Sequence, residues 1–189
     1  PRAKVVYKAN REGVAEAFGE ADTRKSMEID FRLIAQQDEL IRDLELHLVR
    51  QAKHHDPDAF HRLRSVPGIG KILAMTILYE VQDIHRFPRV QDFLSYTRLV
   101  KCEHSSAGKK LGTGGSKIGN AHLKWAFSEA ASLFVRHSEE GQKMARRLQS
   151  KHGPSKGLSI LAAKLGRSVY YMLSREKTFE MERFLGQAS

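Results

Sequence analysis

The chain has 189 residues, 41% of them hydrophobic, which is enough for one domain with a packed core and room for an extension. Its 32 basic and 22 acidic residues leave a formal net charge of +10, which favours nucleic acid as a partner over a membrane surface. A single cysteine excludes an intrachain disulfide and a cysteine-based metal site, and no apolar run is long enough to span a bilayer. We therefore expect a cytoplasmic protein with no membrane partner.

The chain opens with a mixed, glycine-interrupted segment, residues 1–21, which we predict to be a linker. Residues 22–56 then carry apolar side chains at alternating spacings of three and four, with Asp38 where a further apolar residue was due. The repeat consists of Met27, Phe31, Ile34, Ile41, Leu44 and Leu48. This pattern predicts a helix whose apolar stripe needs a partner, either a second copy in a coiled coil or the helix's own domain.

Three histidines, His54, His55 and His61, surround Pro57. No carboxylate or further histidine stands at a convincing ligand spacing, so we interpret the cluster as a solvated turn rather than a metal site. Residues 57–189 are predicted to form one helical domain.

The stretch 60–81 reads as two helices joined by a tight turn at Pro67-Gly68-Ile69-Gly70. It resembles a helix-hairpin-helix element. In such an element Gly68 and Gly70 leave backbone N–H groups open to a DNA phosphate, and Lys71 adds charge at the start of the second helix. The alternative is a helical hairpin used only for packing.

The remaining pattern is helical, which makes the predicted fold class all-α: a long coiled-coil helix followed by a compact helical domain. A turn at 83–88 precedes a helix at 90–99. Helices are then predicted at 120–137, 143–151 and 158–185, with Ser116 or Asn120 capping the first of these three. Between Lys143 and Lys177 only Glu176 is acidic, so this basic series, which includes Arg146 and Arg147, is predicted to face phosphates.

Residues 102–119 form a predicted loop that combines two adjacent serines with glycines and lysines. Glycines let backbone N–H groups approach an anion, lysines neutralise it, and a hydroxyl could bind or attack a phosphate. The alternative is a basic loop whose serines only solvate the turn.

Four blocks within residues 60–185 resemble the C-terminal part of the IS-one-ten family of insertion-sequence transposases, which is related to the Piv-type DNA invertases. The blocks are VPGIG at 66–70, RFP at 86–88, SAGKKLG at 106–112 and KIGNAHLKWAFSEAA at 117–131. The resemblance implies a serine nucleophile at Ser106, with Ser105 as its alternate. It also implies that Lys109, Lys110 and Lys117 stabilise phosphate charge, with His104 as a possible proton shuttle.

The resemblance further implies that the chain is a piece of a longer bacterial or archaeal, nucleoid-associated recombinase, and that the piece cleaves no DNA by itself. A RuvC-like domain elsewhere would hold Mg²⁺, and no cofactor is expected in this chain. The expected partners are donor and target DNA, a guide (bridge) RNA and further copies of the chain. The nucleic-acid-binding residues expected are Gly68, Gly70, Lys71, Lys109, Lys110, Lys117, Asn120, His122, Lys124, Arg146 and Arg147. A binding module without chemistry, and an interaction protein whose charge is incidental, remain the alternatives.

Overall fold

The computed structural model describes residues 5, 7–100, 104–106, 109–112 and 118–186, and gives the backbone alone for 53–55, 104–106 and 109–112. The chain divides into two units, Pro1–Leu48 and Val49–Ser189. Helix α1, Ala21–His55, begins in the first unit and ends in the second.

The first unit contains two short 3-10 turns, Lys8–Asn10 and Ala15–Ala17, followed by most of α1. Arg11 forms an ion pair with Asp38 of α1 at 3.2 Å, so the residue that interrupts the apolar repeat is held by the preceding segment. The long helix predicted from the repeat is confirmed. Its apolar stripe is exposed in this chain, with Ile41 and Leu44 53% and 58% accessible.

The described residues of the second unit form seven further helices and one hairpin. The helices are α2 (Pro57–Arg64), α3 (Lys71–Val81), α4 (Val90–Tyr96), α5 (Ala121–His137), α6 (Glu139–His152), α7 (Pro154–Ser174) and α8 (Met181–Leu185). The strands β1 (His104–Ser106) and β2 (Lys109–Gly112) pair antiparallel, and a 3-10 turn covers Ile84–Arg86.

Local capping explains where several of these helices begin. The side chain of Asp56 accepts a hydrogen bond from the Ala59 N–H, and Pro57 occupies the first turn of α2. Ser138 accepts from the Gly141 N–H and thereby separates α5 from α6. Pro154 begins α7, where its missing N–H costs nothing.

The core lies where α5, α6 and α7 pack together, with α3 against α5 and α4 against α7. Phe93 is fully buried and meets Phe87 and Phe127 edge-on at ring-centroid distances of 5.4 and 6.1 Å. The Tyr170 hydroxyl donates to the Phe87 carbonyl at 2.9 Å, which satisfies the one polar atom of that ring inside the core.

The all-α class is confirmed, but two predicted elements differ. Within the predicted loop 102–119, seven residues form the two short strands. The predicted helix 158–185 is wrong as one element: α7 ends at Ser174, residues 175–180 turn, and α8 follows. Glu176 has a φ of 55°, and the Lys177 N–H donates to the Met172 carbonyl, which closes α7. Phe184 of α8 then packs edge-on against Phe134 of α5, with ring centroids 5.3 Å apart. Burial of the Phe184 ring therefore stabilises the turn between α7 and α8.

Candidate nucleic-acid interface

The serine segment forms the β1–β2 hairpin. Ser106 and Lys109 are Cα partners, and so are Ser105 and Lys110, with an irregular register between His104 and Ser105. The backbone therefore places the candidate nucleophile Ser106 opposite Lys109, and its alternate Ser105 opposite Lys110. Both lysines are predicted to bind phosphate. Lys117, also predicted to bind phosphate, lies outside the described residues.

Both ends of the segment that contains this hairpin are fixed to α4 and α5. On the incoming side the Leu99 N–H donates to the Leu94 carbonyl at 3.0 Å. On the returning side the Asn120 N–H donates to the Tyr96 carbonyl at 2.7 Å, and the Arg98 guanidinium donates to the Gly119 carbonyl at 2.6 and 2.9 Å. The segment that contains the hairpin thus begins and ends at the same place on the helical core, the junction of α4 and α5.

Gly119 is required at this junction. Its φ is +104°, and a Cβ built on it would lie 2.5 Å from the Tyr96 carbonyl oxygen. Any side chain would have to adopt an unfavourable backbone conformation and also displace α4 from α5. The glycine therefore allows the close approach that anchors the hairpin segment.

Asn120 is engaged inside the protein. Its Oδ1 accepts the Leu123 N–H at 2.9 Å and caps α5, and its amide donates to Glu80 at 2.6 Å and to the Tyr96 hydroxyl at 3.4 Å. The cap predicted for this residue is confirmed. Its carbonyl oxygen and amide are therefore both engaged in intramolecular hydrogen bonds, which hold the end of the hairpin segment.

The same cluster perturbs a tyrosine. The hydrogen bond from Asn120 lowers the pKa of Tyr96 below its ordinary value, burial opposes that shift, and Arg86 lowers the pKa further. The Arg86 guanidinium carbon lies 4.7 Å from the ring centroids of both Phe87 and Tyr96. Nothing in the spacing of Glu80, Arg86 and Tyr96 indicated this cluster, because it depends on how α3, α4 and α5 pack.

Beyond its cap, one face of the first turns of α5 is exposed to solvent. His122 and Lys124 are exposed, and the chain's single tryptophan, Trp125, is 49% accessible at the next position. A positive and an aromatic side chain therefore stand beside the anchored end of the hairpin segment, an arrangement suited to phosphate and base contacts.

The two glycines of the α2–α3 turn have different surroundings. Gly68, with a φ of +92°, packs so closely on α5 that a Cβ would lie 2.6 Å from both the Ala130 carbonyl oxygen and the Phe134 nitrogen. Gly70 has no atom within 4 Å of a built Cβ, and Lys71 is exposed. Only the Gly70 side of the turn is therefore open to a ligand, while Gly68 is a packing residue.

The structure also sets the spacing between the turn and the hairpin. Gly68 contacts α5 near Ala130, whereas Glu80 contacts its cap at Asn120, so α3 and α5 run in opposite directions. At 1.5 Å per helical residue, the open start of α3 and the hairpin anchor are about 14 Å apart along α3. Arg146 and Arg147 lie exposed on α6, which packs on α5 and α7.

Neither a metal site nor a membrane span is found in the part of the chain that the structure describes. No three histidine, cysteine, aspartate or glutamate side chains there are grouped to hold an ion. None of the described helices is both long and apolar enough to cross a membrane.

Sequence comparison identifies the domain that carries these features. Residues 60–146, from α2 into α6, match the model of the Transposase IS116/IS110/IS902 family. Over these residues, which make up somewhat less than half of the chain, it is similar to that transposase family. The α2–α3 turn, the hairpin, the Asn120 cluster and α5 all lie within the matched transposase domain.

Two curated relatives extend the comparison. The transposase for insertion sequence element IS1111A of Coxiella burnetii is 29% identical over 147 residues, covering 76% of this chain and 40% of that protein. The transposase for insertion sequence element IS1328 of Yersinia enterocolitica is 26% identical over 151 residues, covering 78% of this chain and 43% of that protein. The chain thus spans about two fifths of the length of the curated relatives that it matches.

Proposed function

We propose that this chain is the serine-bearing part of a DNA transposase that mobilises an insertion sequence. The observation that carries the proposal is the β1–β2 hairpin, which pairs Ser106 with Lys109 in a segment whose two ends, at Leu99 and Asn120, are hydrogen-bonded to α4. A nucleophile needs a fixed position relative to the phosphate that it attacks, and a cation beside it stabilises the charge of the transition state.

In the proposed reaction Ser106 Oγ attacks a DNA phosphodiester. The Oγ–P bond forms as the P–O3′ bond breaks, the serine proton passes to a base, and the departing O3′ takes up a proton. The products are a 5′-phosphoserine and a free 3′-hydroxyl, which can attack the phosphoserine of another strand and release the serine. Lys109 and Lys110 are proposed to stabilise the phosphate charge, and His104 is a candidate for moving the proton.

DNA binding is proposed to extend from the hairpin to the open start of α3. There Gly70 and Lys71 present backbone N–H groups and a positive charge to a phosphate. The separation of about 14 Å along α3 corresponds to roughly four base pairs of duplex. His122, Lys124, Arg146 and Arg147 are proposed to add phosphate contacts, with Lys117 beyond the described residues. The choice of donor and target DNA sequences would come from base pairing with a guide RNA.

Two further parts of the proposal concern partners of the domain. The Mg²⁺ ligands are proposed to lie in a RuvC-like domain outside this chain, as the resemblance of the motifs at 66–131 implies. The exposed apolar stripe of α1 is proposed to join two copies as a coiled coil, because burying Ile41 and Leu44 against their counterparts removes apolar surface from water.

A binding module without chemistry is the second candidate. It is favoured by the exposed cations on α3, α5 and α6, which bind phosphate whether or not a serine reacts. This candidate requires nucleic-acid affinity that falls steeply with salt, but no covalent product.

Covalent trapping tests the proposal. The full-length transposase that contains this chain would be incubated with Mg²⁺, guide RNA and labelled DNA, as wild type, Ser105→Ala and Ser106→Ala. The adjacent serines make the two variants a matched pair. We expect the protein–DNA adduct to disappear in Ser106→Ala and to persist in Ser105→Ala. An adduct in both variants would overturn the nucleophile assignment, whereas salt-sensitive binding without an adduct in the wild type would favour the binding module.

A further inference from the structure

A cleft of about 270 Å³ lies between α7 and the returning segment 177–184, outside the part matched by the transposase model. We call it the α7–α8 cleft. Its basic lining residues are Lys164, Arg167, Arg175, Lys177 and Arg183.

Positive charge dominates this cleft. Five of its lining residues are basic and only Glu180 is acidic. Within the part of the chain that the structure describes, none of the five cations forms an ion pair. An anion entering the cleft would therefore meet several cations that no carboxylate already neutralises.

Lys164 is the partly buried cation of this cleft. Its ammonium nitrogen lies 4.8 Å from the centroid of the Phe184 ring. Partial burial lowers the pKa of Lys164 below its ordinary value, and the nearby charge of Arg147 on α6 lowers it further. Both causes act against the charged form, and a bound phosphate would relieve them.

Aromatic side chains form the other part of the wall. The Arg175 guanidinium carbon lies 4.6 Å from the centroid of the half-buried Tyr171 ring, so a cation is already stacked at the rim. Phe179 is also half-buried and packs against Phe184 with centroids 5.3 Å apart. Cations beside aromatic faces are the combination that binds unpaired nucleotides, because phosphate and base are held together.

The cleft is joined to the turn already proposed to bind DNA. The Phe179 N–H donates to Ser65 Oγ at 2.9 Å, and Arg62 pairs with Glu176 at 3.7 Å. Ser65 is the first residue after α2, in the turn that leads to Gly70. A nucleic-acid strand held at that turn could therefore continue into the cleft.

We propose that the α7–α8 cleft binds a single-stranded nucleic-acid segment, with its phosphates on Lys164, Arg175 and Lys177 and a base against Tyr171 or Phe179. This inference rests on the proposed nucleic-acid function and adds a site and a substrate class to it. The proposed contacts involve phosphate and base but no 2′-hydroxyl, so the cleft accepts DNA and RNA alike.

Fluorescence anisotropy with labelled 12-mers tests the proposal on the 189-residue chain. The double variant Arg175→Gln/Lys177→Gln is compared with Arg32→Gln/Arg42→Gln, which removes the same charge from exposed positions of α1. We expect the cleft variant to weaken binding of oligo-dT and oligo-rU at least about fivefold, and to reduce the slope of log K against log salt by about 1.4, or roughly 0.7 for each lost phosphate contact. The control pair should change affinity less than about twofold.

Three outcomes would overturn the proposal: equal losses in the cleft and control variants, a loss of duplex binding in the cleft variant as large as its loss of single-strand binding, or an equal loss for an abasic 12-mer. Thermal unfolding of each variant verifies that the fold is intact. The test is separable from the trapping assay. If the trapping assay gives an adduct and the cleft variant binds oligonucleotides as tightly as the wild type, only the cleft proposal fails. If binding depends on the cleft but no adduct forms, only the proposed serine chemistry fails.

Discussion

Gly68 and Gly70 lie two residues apart in one turn, yet alanine should strongly destabilise the fold at Gly68 and hardly change its stability at Gly70. At Gly68 an alanine must adopt a φ of +92° and place its Cβ 2.6 Å from two backbone atoms of α5. The left-handed conformation costs about 1–2 kcal/mol, and forcing packed elements apart adds about 1–3 kcal/mol. We therefore expect Gly68→Ala to lower the free energy of unfolding by roughly 2–5 kcal/mol.

At Gly70 the backbone is extended, with φ −78° and ψ −174°, and the added Cβ meets open space. Gly70→Ala should change stability by less than about 0.5 kcal/mol. It should nevertheless weaken DNA binding if a phosphate approaches the backbone there, because the methyl group occupies the open side of the turn.

Thermal unfolding followed by circular dichroism measures the contrast. For a domain of this size, 2–5 kcal/mol corresponds to a fall in Tm of about 4–20 °C for Gly68→Ala, against about 2 °C or less for Gly70→Ala. Equal Tm values for the two variants would refute the close packing of Gly68 on α5. Unchanged DNA affinity in a folded Gly70→Ala protein would remove the turn from the proposed interface.

Three further predictions concern other parts of the chain. Asn120→Ala removes the α5 cap and should cost about 0.5–2 kcal/mol in urea unfolding. Because it also removes the main cause that lowers the pKa of Tyr96, NMR titration of labelled tyrosine should show that pKa rising, and an unchanged value would contradict the hydrogen bond. Titration of labelled lysine should place the Lys164 pKa below its ordinary value and show a rise when oligo-dT binds; no rise would argue against phosphate at this ammonium. Ile41→Asp/Leu44→Asp should shift the sedimenting species from dimer to monomer without changing the Tm of the second unit, since both side chains are exposed in the single chain. A monomeric wild type would rule out the coiled coil.

Most of the helices could be predicted from the sequence because their signals are local. The apolar repeat predicted a helix over residues 22–56, within one residue of α1 at both ends, and Asn120 and the apolar face after it predicted α5 to within one residue. The family resemblance within 60–185 was likewise readable from short motifs, and the matched domain at 60–146 confirms it.

The end of α7 could not be predicted, because its helical pattern continues to Leu185. What ends it is a contact 114 residues away, between Phe179 and Ser65, together with burial of Phe184 against α5. The hairpin at Ser106 was predicted only as a loop, since its glycine and lysine content is typical of both.

The sequence by itself determined the helical class, the basic character and the motif that contains the candidate serine, because periodicity, charge and motif spacing are properties of neighbouring residues. Tertiary structure alone decided that Gly68 packs on α5 while Gly70 stays open, and that Asn120 connects Glu80, 40 residues earlier, to the hairpin end. It also decided that five cations and three aromatic side chains line one cleft. These arrangements depend on which helix faces pack together, and that is fixed by burial of the whole core rather than by any local run of residues.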